Sequence, residues 1–485
     1  MNVPHMPSDD FQRIGAQLLK LISDYHRALQ AGEIVVRPDV QPGDVAAMLP
    51  DAPPPHGEPW DAIVEDIQRI VIPGVMHWQS PDFFGYFPAN ASYPAMLADL
   101  LCAGLGVQGM LWQTGPACTE METRVLDWLA DMIGLPPAFR SNAKHEEGGG
   151  GVIHGTASEA VLTALVAARH RAVTNGAASS DALVAYTSTQ AHSSVMKAAR
   201  IIGLPEQRVR LIDTDAALAM SPSALRAAMG ADAASDRSPF FVCATLGTTS
   251  TGAIDPLAPI GEIAHTHHAW VHCDAAWAGS ALICPEHRGM LDGVEGCDSF
   301  NFNPHKWMLT NFDCSAMWVS DRQALLSALS ITPEYLRNRA SDAGAVIDYR
   351  DWHIPLGRRF RALKLWFVLR HYGVEGLQAH IREGVRLAEI FESLVAEDDR
   401  FEMPVERSLS LVCFCLKRGD ADTRALLDRV NNSGACFLTH TIIPAPASGG
   451  TEPRFVIRMA IGGAHTREQH VRAAWDVIAR EAAGI

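Results

Sequence analysis

The sequence predicts an α/β fold built on a mainly parallel sheet, followed by a smaller α+β unit. Three observations carry that expectation. Short β runs (LVAYTS, RVRLI, FFVCATLG, WVHCDA, FNF and CSAMWVS) recur between about Tyr86 and Gly357, and helical segments separate several of them. METRVLDWLADMIGL sets Val125, Leu126, Leu129, Met132 and Ile133 on one helical face. Beyond Arg358 the pattern changes to two long helices and then strand–helix–strand–helix. With 485 residues, 48% hydrophobic and 20% charged, the chain is long and apolar enough for several packed units.

Residues 1–90 read as a helical arm and linker. Ile14, Leu18, Leu19, Leu21 and Ile22 lie mostly along one stripe of a helix, and a proline-rich connector, LPDAPPPHGEP, follows. A helix on a stiff linker is expected to pack on another subunit rather than on its own body. The opening MNVPHMPSDDFQRIG has no basic stretch leading into an apolar core, so no secretory leader is expected. The apolar stretch 95–112 is interrupted by Asp99, several glycines and Gln108, which excludes a membrane span there.

Residues 91–357 read as the large α/β domain. The glycine run at 148–151 fails the dinucleotide fingerprint: a frame opening at Gly150 ends on Gly155 but puts Val152 where a glycine is required. It also follows a charged stretch, AKHEE, rather than a strand. HGTASEAVLTALVAARHR opens a strong helix in which Thr156 and Glu159 have capping-box spacing. Its free N–H groups, with the hydroxyls of Thr156 and Ser158, suit an anion such as a phosphate. QAHSSV sets His192 at a strand-to-helix turn. WVHCDA ends a strand on Asp274, the place where open α/β sheets bind ligands, and a carboxylate there calls for a cationic partner. HTHHAW (His265, His267, His268) lacks both the HExxH arrangement and a Cys or carboxylate in ligand spacing, so no metal site is expected.

Residues 358–485 read as linking helices and a small α+β domain. RRFRALKLWFVLRHYG and GLQAHIREGVRLAEIFESLVAED are the helices; LVCFCL, ADTRALLDRVNN, RFVIRMAI and TREQHVRAAWDVIARE follow. Arg358, Arg359 and Arg361 read as a solvated or interdomain helix face. Cys413 and Cys415 fall on one face of a strand as buried thiols. The ten cysteines include no C-x-x-C pair, which fits a soluble protein of a reducing, cytoplasmic compartment.

The charge balance narrows the chemistry. Forty Lys+Arg against 55 Asp+Glu give a net −15 without a basic run, so neither nucleic acid nor an anionic membrane is an expected partner. Only six of the basic residues are lysines. Lys20, Lys197 and Lys364 lie on helical patterns, where exposure or snorkelling accounts for them. Lys144 lies in AKHEE, and Lys417 begins a polar turn. Lys306 differs: it sits in NPHKWML, where desolvation lowers an amine's pKa and frees it as a nucleophile. A phosphate-ready helix start, an Asp at a strand end and a desolvated Lys are together what pyridoxal phosphate (PLP) requires.

The sequence also resembles the group II PLP-dependent decarboxylases of fold type I, specifically the aromatic-L-amino-acid decarboxylase family. The matching text spans about residues 8–480 and includes HWQSPDFFGYFP, SYPAMLADLLC, GGGVIHGTASEA, QAHSSV, ATLGTT, HCDAAWAGSA, DSFNFNPHKWML, NFDCSAMWV and IPLGRRFRALKLWFVLRHYGVEGLQ. The resemblance implies that Lys306 carries the cofactor and that Asp274 pairs with its ring nitrogen. His192 would stack on one ring face and Ala276 on the other. Thr156, Ala157, Ser158 and Asn303 would hold the phosphate, with His305 beside the lysine linkage and Thr249 near the ring. Trp78, Tyr86, Phe87 and Pro88 would form the substrate-pocket wall. An obligate homodimer with interfacial active sites is implied, which gives the N-terminal helix a role.

The resemblance also narrows the reaction. Tyr335, in SITPEYLRNRASDAGAVIDYRDW, holds the position of the loop tyrosine that protonates Cα after CO2 leaves. Related aldehyde synthases commonly carry Phe there, or Asn in place of His192, so both residues favour plain decarboxylation. Gly357 stands where relatives with Ser tend toward histidine or phenolic substrates, which leans toward Trp, 5-hydroxytryptophan and dopa, with Tyr and Phe as further candidates. A hydroxymethyl difference discriminates by only a few kcal/mol, so a broad range is expected. Gln108 and Met110 depart from the aliphatic residue and Phe that animal members usually carry at the pocket edge contributed by the partner subunit. Histidine or glutamate as substrate, oxidative deamination to an aldehyde, and a silent homologue acting as a binding partner are the alternatives.

Overall fold

Seven strands make the central sheet of the computed structural model, which describes residues 5–87, 90–141, 148–174, 179–331, 339, 346–444 and 452–485. They are β1 (Gly150–His154), β2 (Leu183–Ser188), β3 (Val209–Ile212), β4 (Ser238–Thr245), β5 (Trp270–Asp274), β6 (Ser299–Phe302) and β7 (Ser315–Val319), in the order β1-β7-β6-β5-β4-β2-β3. Neighbours from β3 to β6 are parallel, whereas β7 runs antiparallel to both β6 and β1. Successive residues of β4 enter opposite cores: Phe241 and Cys243 face the helices Ala157–Thr174 and Ser194–Ile201, Val242 and Ala244 the side holding Pro116–Ile133 and Leu257–His265. Covering both faces requires near-continuous apolar strands, and LVAYTS is buried at all six positions.

The glycine run that fails the dinucleotide fingerprint leads into strand, with Gly150 and Gly151 opening β1. A Cβ on Gly149 would lie 2.2 Å from both the Ala138 and Val319 carbonyl oxygens, and one on Gly151 would lie 2.7 Å from Trp318 Nε1. The glycines let the sheet edge approach its neighbours closely; they do not form a phosphate loop. Poor β propensity hides this strand in the sequence.

A second, antiparallel sheet has the order β10-β11-β9-β8, from β8 (Phe401–Glu402), β9 (Leu411–Leu416), β10 (Thr439–Ile443) and β11 (Arg454–Ala460). The helices Ala362–Ala396, Asp420–Asn432 and Glu468–Ala483 pack around it. The first breaks at Gly373 (φ 66°, ψ 177°), so two helices meet there as expected. Cys413 and Cys415 both join the core on one face of β9, while Val412, Phe414 and Leu416 join that on the other.

Two charge assignments are corrected. Arg358 is only 3% exposed and lies before the helix begins, with Nη2 2.7 Å from Glu122 Oε1; Arg361 pairs with Asp313 at 2.9 Å. Lys364, 1% exposed, pairs with Asp99 at 3.1 Å. Their partners lie far away in sequence, so local pattern gives no sign that these charges are buried.

The helix Ser8–Gln30 buries Ile14, His26 and Leu29 but exposes Phe11, Leu19 and Ile22. The helix Tyr93–Leu105 exposes Leu97, Leu100, Leu101 and Leu105, each about half. Among the described residues no helix is long and apolar enough to cross a membrane.

Candidate active site

Because β1, β2, β4, β5 and β6 point the same way, their C-terminal ends meet at one edge of the sheet, where open α/β sheets bind ligands. A cavity of about 230 Å³ lies there. It brings together Thr156, Ala157 and Ser158 after β1, His192 after β2, Thr249 after β4, Asp274 at the end of β5 and Ala276 just after it, and Asn303, His305 and Lys306 after β6. A second cavity, of about 620 Å³, shares His192, Thr249, His305 and Lys306 and adds Trp78, Tyr86 and Phe87.

Lys306 lies on the single helical turn Pro304–Trp307. Burial lowers its pKa, nearby Asp274 opposes that, and the Arg458 guanidinium adds to it. Its peptide is fixed on both sides: the amide donates to Asn303 O at 2.9 Å, and its carbonyl accepts from the Asn90 side-chain amide. Asn90 Nδ2 also donates to Gly462 O at 3.0 Å.

Asp274 Oδ1 accepts the Ala276 N–H at 3.0 Å and Asn301 Nδ2 at 3.4 Å. Among the described residues Oδ2 takes no hydrogen bond. Behind it, His272 bonds Asn301 Oδ1 at 2.8 Å and Ser299 Oγ at 2.7 Å, and burial holds its pKa at about 4. A neutral imidazole donating to Asn301 keeps that amide's NH2 aimed at Asp274. His192 Nδ1 accepts the Ser194 N–H at 3.1 Å, leaving Nε2 to carry the proton; burial lowers this pKa too. His305 Nδ1 accepts the Cys314 N–H at 2.9 Å, and burial pushes its pKa down to about 3.

The capping box forms only in part. Glu159 reaches back, but to the Gly155 N–H at 2.9 Å, and the Thr156 hydroxyl bonds no helix amide. The Thr156 and Ser158 hydroxyls thus stay free to serve the cavity.

Sequence reasoning missed Trp277, Phe312 and Arg458. Trp277 stacks on Phe87 with ring centroids 4.1 Å apart, and both Trp277 and Phe312 line the two cavities. Arg458 comes from β11, in the second sheet. It is 5% exposed, donates Nε to Ser250 O at 3.0 Å, and pairs with no carboxylate among the described residues. An arginine inside the apolar RFVIRMAI was the available signal.

Gln108, Met110 and Gly357 line neither cavity. They form a patch of their own, where Gln108 Oε1 accepts the Arg358 N–H at 3.2 Å and Met110 O accepts the Arg350 N–H at 3.0 Å. Pro88 and Tyr335 lie outside the described residues.

These groups fit PLP. Among the described residues Asp274 Oδ2 is open, and the Lys306 amine shares one small cavity with the Thr156 and Ser158 hydroxyls and the Asn303 amide. Comparison with known proteins agrees. Residues 42–417 match the family model for the pyridoxal-dependent decarboxylase conserved domain. The chain is 48% identical to the aromatic-L-amino-acid decarboxylase of Bos taurus, covering 99% of this chain and 97% of that protein. It is 46% identical to the phenylacetaldehyde synthase of Arabidopsis thaliana, covering 98% and 96%. A crystal structure of Oryza sativa TDC with PLP and tryptamine superposes with a TM-score of 0.94 at 41% identity, over 100% of this chain and 99% of that one.

Proposed function

The chain belongs to the pyridoxal-dependent decarboxylase family, and on that premise we propose that it converts aromatic L-amino acids to the corresponding arylalkylamines and CO2. One observation carries the reading: Lys306, Asp274 and the hydroxyl-bearing helix start line a single cavity that shares Lys306 with an aromatic-walled one. When bound, PLP supplies the aldehyde that takes the substrate's amine and the ring that draws off the electron pair as the carboxylate leaves.

The chain's residues divide the remaining work. Lys306, its basicity lowered by burial, holds the cofactor and yields to the incoming amine. Asp274, through Oδ2, keeps a proton on the ring nitrogen, because a carboxylate partner favours the charged form. His192 and Ala276 would flank the ring, with Thr249 nearby and His305 beside Lys306, and Thr156, Ala157, Ser158 and Asn303 would hold the phosphate, as their shared lining of one cavity supports. Arg458 takes the substrate's carboxylate with its free guanidinium edge. Trp78, Tyr86, Phe87, Trp277 and Phe312 offer flat apolar faces to an indole or catechol ring, and Pro88 extends that wall in sequence. Tyr335 returns the proton to Cα.

Trp, 5-hydroxytryptophan and dopa are the favoured substrates, with Tyr and Phe accepted. Histidine and glutamate suit these apolar walls less well. We assign Gln108, Met110 and Gly357 to the pocket of a partner subunit in a homodimer, an assembly supported by the exposed leucines of Tyr93–Leu105. The organisation is an arm (1–90), a cofactor domain (91–357) and a C-terminal domain (358–485), supported by the two sheets. Ten free thiols support a reducing, cytoplasmic location.

The 46% identity to a phenylacetaldehyde synthase motivates a second reading, release of an aldehyde; His192 and Tyr335 favour the amine. A panel of Trp, 5-hydroxytryptophan, dopa, Tyr, Phe, His and Glu, with CO2, amine, aldehyde and peroxide quantified, decides between them. Equimolar CO2 and amine are expected; stoichiometric aldehyde and peroxide refute simple decarboxylation. PLP should also give a near-ultraviolet to visible band that borohydride bleaches, and Lys306→Ala should lack it.

A further inference from the structure

At the helix start that lines the cofactor cavity, two buried imidazoles face a part-buried carboxylate, Glu159, and none of the three has a role in the steps above. His154, the last residue of β1, is 1% exposed, and among the described residues neither of its ring nitrogens has a hydrogen-bond partner. Its Nδ1 is 3.6 Å from Glu159 Oε1. His353, also buried, places Nδ1 4.0 Å from the same oxygen. The other carboxylate oxygen, Oε2, accepts the Gly155 N–H at 2.9 Å. One carboxylate therefore accepts the peptide N–H immediately before Thr156 and faces two imidazoles within 4.0 Å.

The turn is fixed on its other sides as well. Arg358 Nη2 donates to Ile153 O at 2.9 Å, while Glu122 Oε1 accepts the Ile153 N–H at 2.8 Å. A Cβ on Gly155 would lie 3.2 Å from Asp313 Oδ2, 3.3 Å from Glu159 Oε2 and 3.9 Å from Arg361 Nη2, so these side chains leave little room at the turn. Burial alone would raise the Glu159 pKa, but His154 and the Gly155 N–H outweigh it and hold it at about 2. Glu159 is thus a fixed anion whose oxygen is committed to the Gly155 peptide.

Such a group would repel a phosphate if its charge reached the cavity. Glu159 does not line that cavity, and its oxygens face His154, His353 and the Gly155 N–H. We propose that Glu159, oriented by His154 and His353, is a positioning residue for the cofactor's phosphate: it fastens Gly155 so that Thr156 and Ser158 meet the phosphate oxygens. This inference rests on the PLP reading above. A hydrogen bond that crosses from helix side chain to the preceding turn fixes the direction in which the first amides of the helix point, and anion binding there depends on that direction.

The test compares PLP with pyridoxal, which has the same ring and aldehyde but no phosphate. Binding of each to the full-length protein is titrated by absorbance for wild type, Glu159→Gln, Glu159→Ala and His154→Leu, and the melting temperature of each apoprotein is recorded. In Glu159→Ala the Kd for PLP should rise about tenfold to a hundredfold, the range for losing a charge-assisted hydrogen bond, while that for pyridoxal stays within about twofold. Glu159→Gln keeps an acceptor for the Gly155 N–H and should fall between wild type and Glu159→Ala; His154→Leu, which frees the carboxylate to turn, should shift in the same direction. The 31P resonance of bound PLP should move in Glu159→Ala. If Glu159→Ala does not fold, Glu159→Gln and His154→Leu carry the comparison. Equal weakening of PLP and pyridoxal, or an unchanged ratio in all soluble variants, overturns the inference. A wild-type protein that binds neither compound overturns the PLP reading itself.

Discussion

Arg458→Gln isolates the group that we assign to the substrate's carboxylate. The guanidinium is buried, uses Nε on Ser250 O, and has no carboxylate of the protein to pair with among the described residues. A charge-assisted hydrogen bond contributes about 1.5–3 kcal/mol net, which corresponds to a loss of about 10- to 150-fold in substrate affinity. The arylalkylamine product lacks the carboxylate and supplies an internal control. The assay measures kcat/KM for Trp or dopa alongside the Ki of tryptamine or dopamine. In Arg458→Gln, kcat/KM should fall by at least tenfold while Ki changes by less than about threefold. Arg458 also depresses the Lys306 pKa, so the titration of Lys306 in the apoprotein should move upward in the variant. A Ki that weakens as much as kcat/KM, with no upward movement for Lys306, would refute the assignment and leave Arg458 a packing residue.

Three further outcomes follow from the same structure. Arg358→Leu leaves Glu122 buried without its partner and should cost about 3–5 kcal/mol in urea unfolding, whereas Arg359→Leu, one residue away, should cost under about 1 kcal/mol. Burial holds His353 neutral in the folded protein, with a pKa of about 3 against an unfolded value of about 6.5. The unfolded state alone takes up that proton between those values, so stability must decline as pH falls through this window; His353→Asn should reduce the slope of unfolding free energy near pH 5 by about 1.4 kcal/mol per pH unit. Leu97→Glu with Leu101→Glu puts charge on the apolar face of Tyr93–Leu105; light scattering should report monomer, and a variant that stays dimeric with full activity would refute our placement of the interface.

The parts of the site that were legible from sequence are those encoded locally. Asp274 stands at the end of an apolar strand, Thr156 and Ser158 open a helix, and Lys306 is set among apolar neighbours, so each announces its chemistry within a few residues. The same holds for the parallel core strands, whose continuous apolar runs match burial on both faces. What escaped notice depends on contacts made across hundreds of positions. Arg358 and Lys364 look solvated until Glu122 and Asp99 arrive from elsewhere in the chain, and the start of β1 is hidden because Gly149, just before it, answers to the Ala138 and Val319 carbonyls and Gly151 to Trp318, not to strand propensity. Arg458 reaches the site only because the second sheet docks against the first.

Asn90 links features that were met separately. Its side-chain amide spans the Lys306 carbonyl and the Gly462 carbonyl, and its backbone N–H takes the His305 carbonyl at 2.9 Å. Asn90 thereby joins the lysine turn to the end of the strand that supplies Arg458, and the stretch bearing Trp78, Tyr86 and Phe87 meets that same strand where Phe84 O accepts the Ala460 N–H at 3.0 Å. An architecture of this kind separates what may vary from what must not. Substitutions in the wall stretch that keep these hydrogen bonds would leave the reactive groups in register. Specificity is shared among distant segments, because Trp277, Phe312 and Arg458 complete the pocket opposite that stretch.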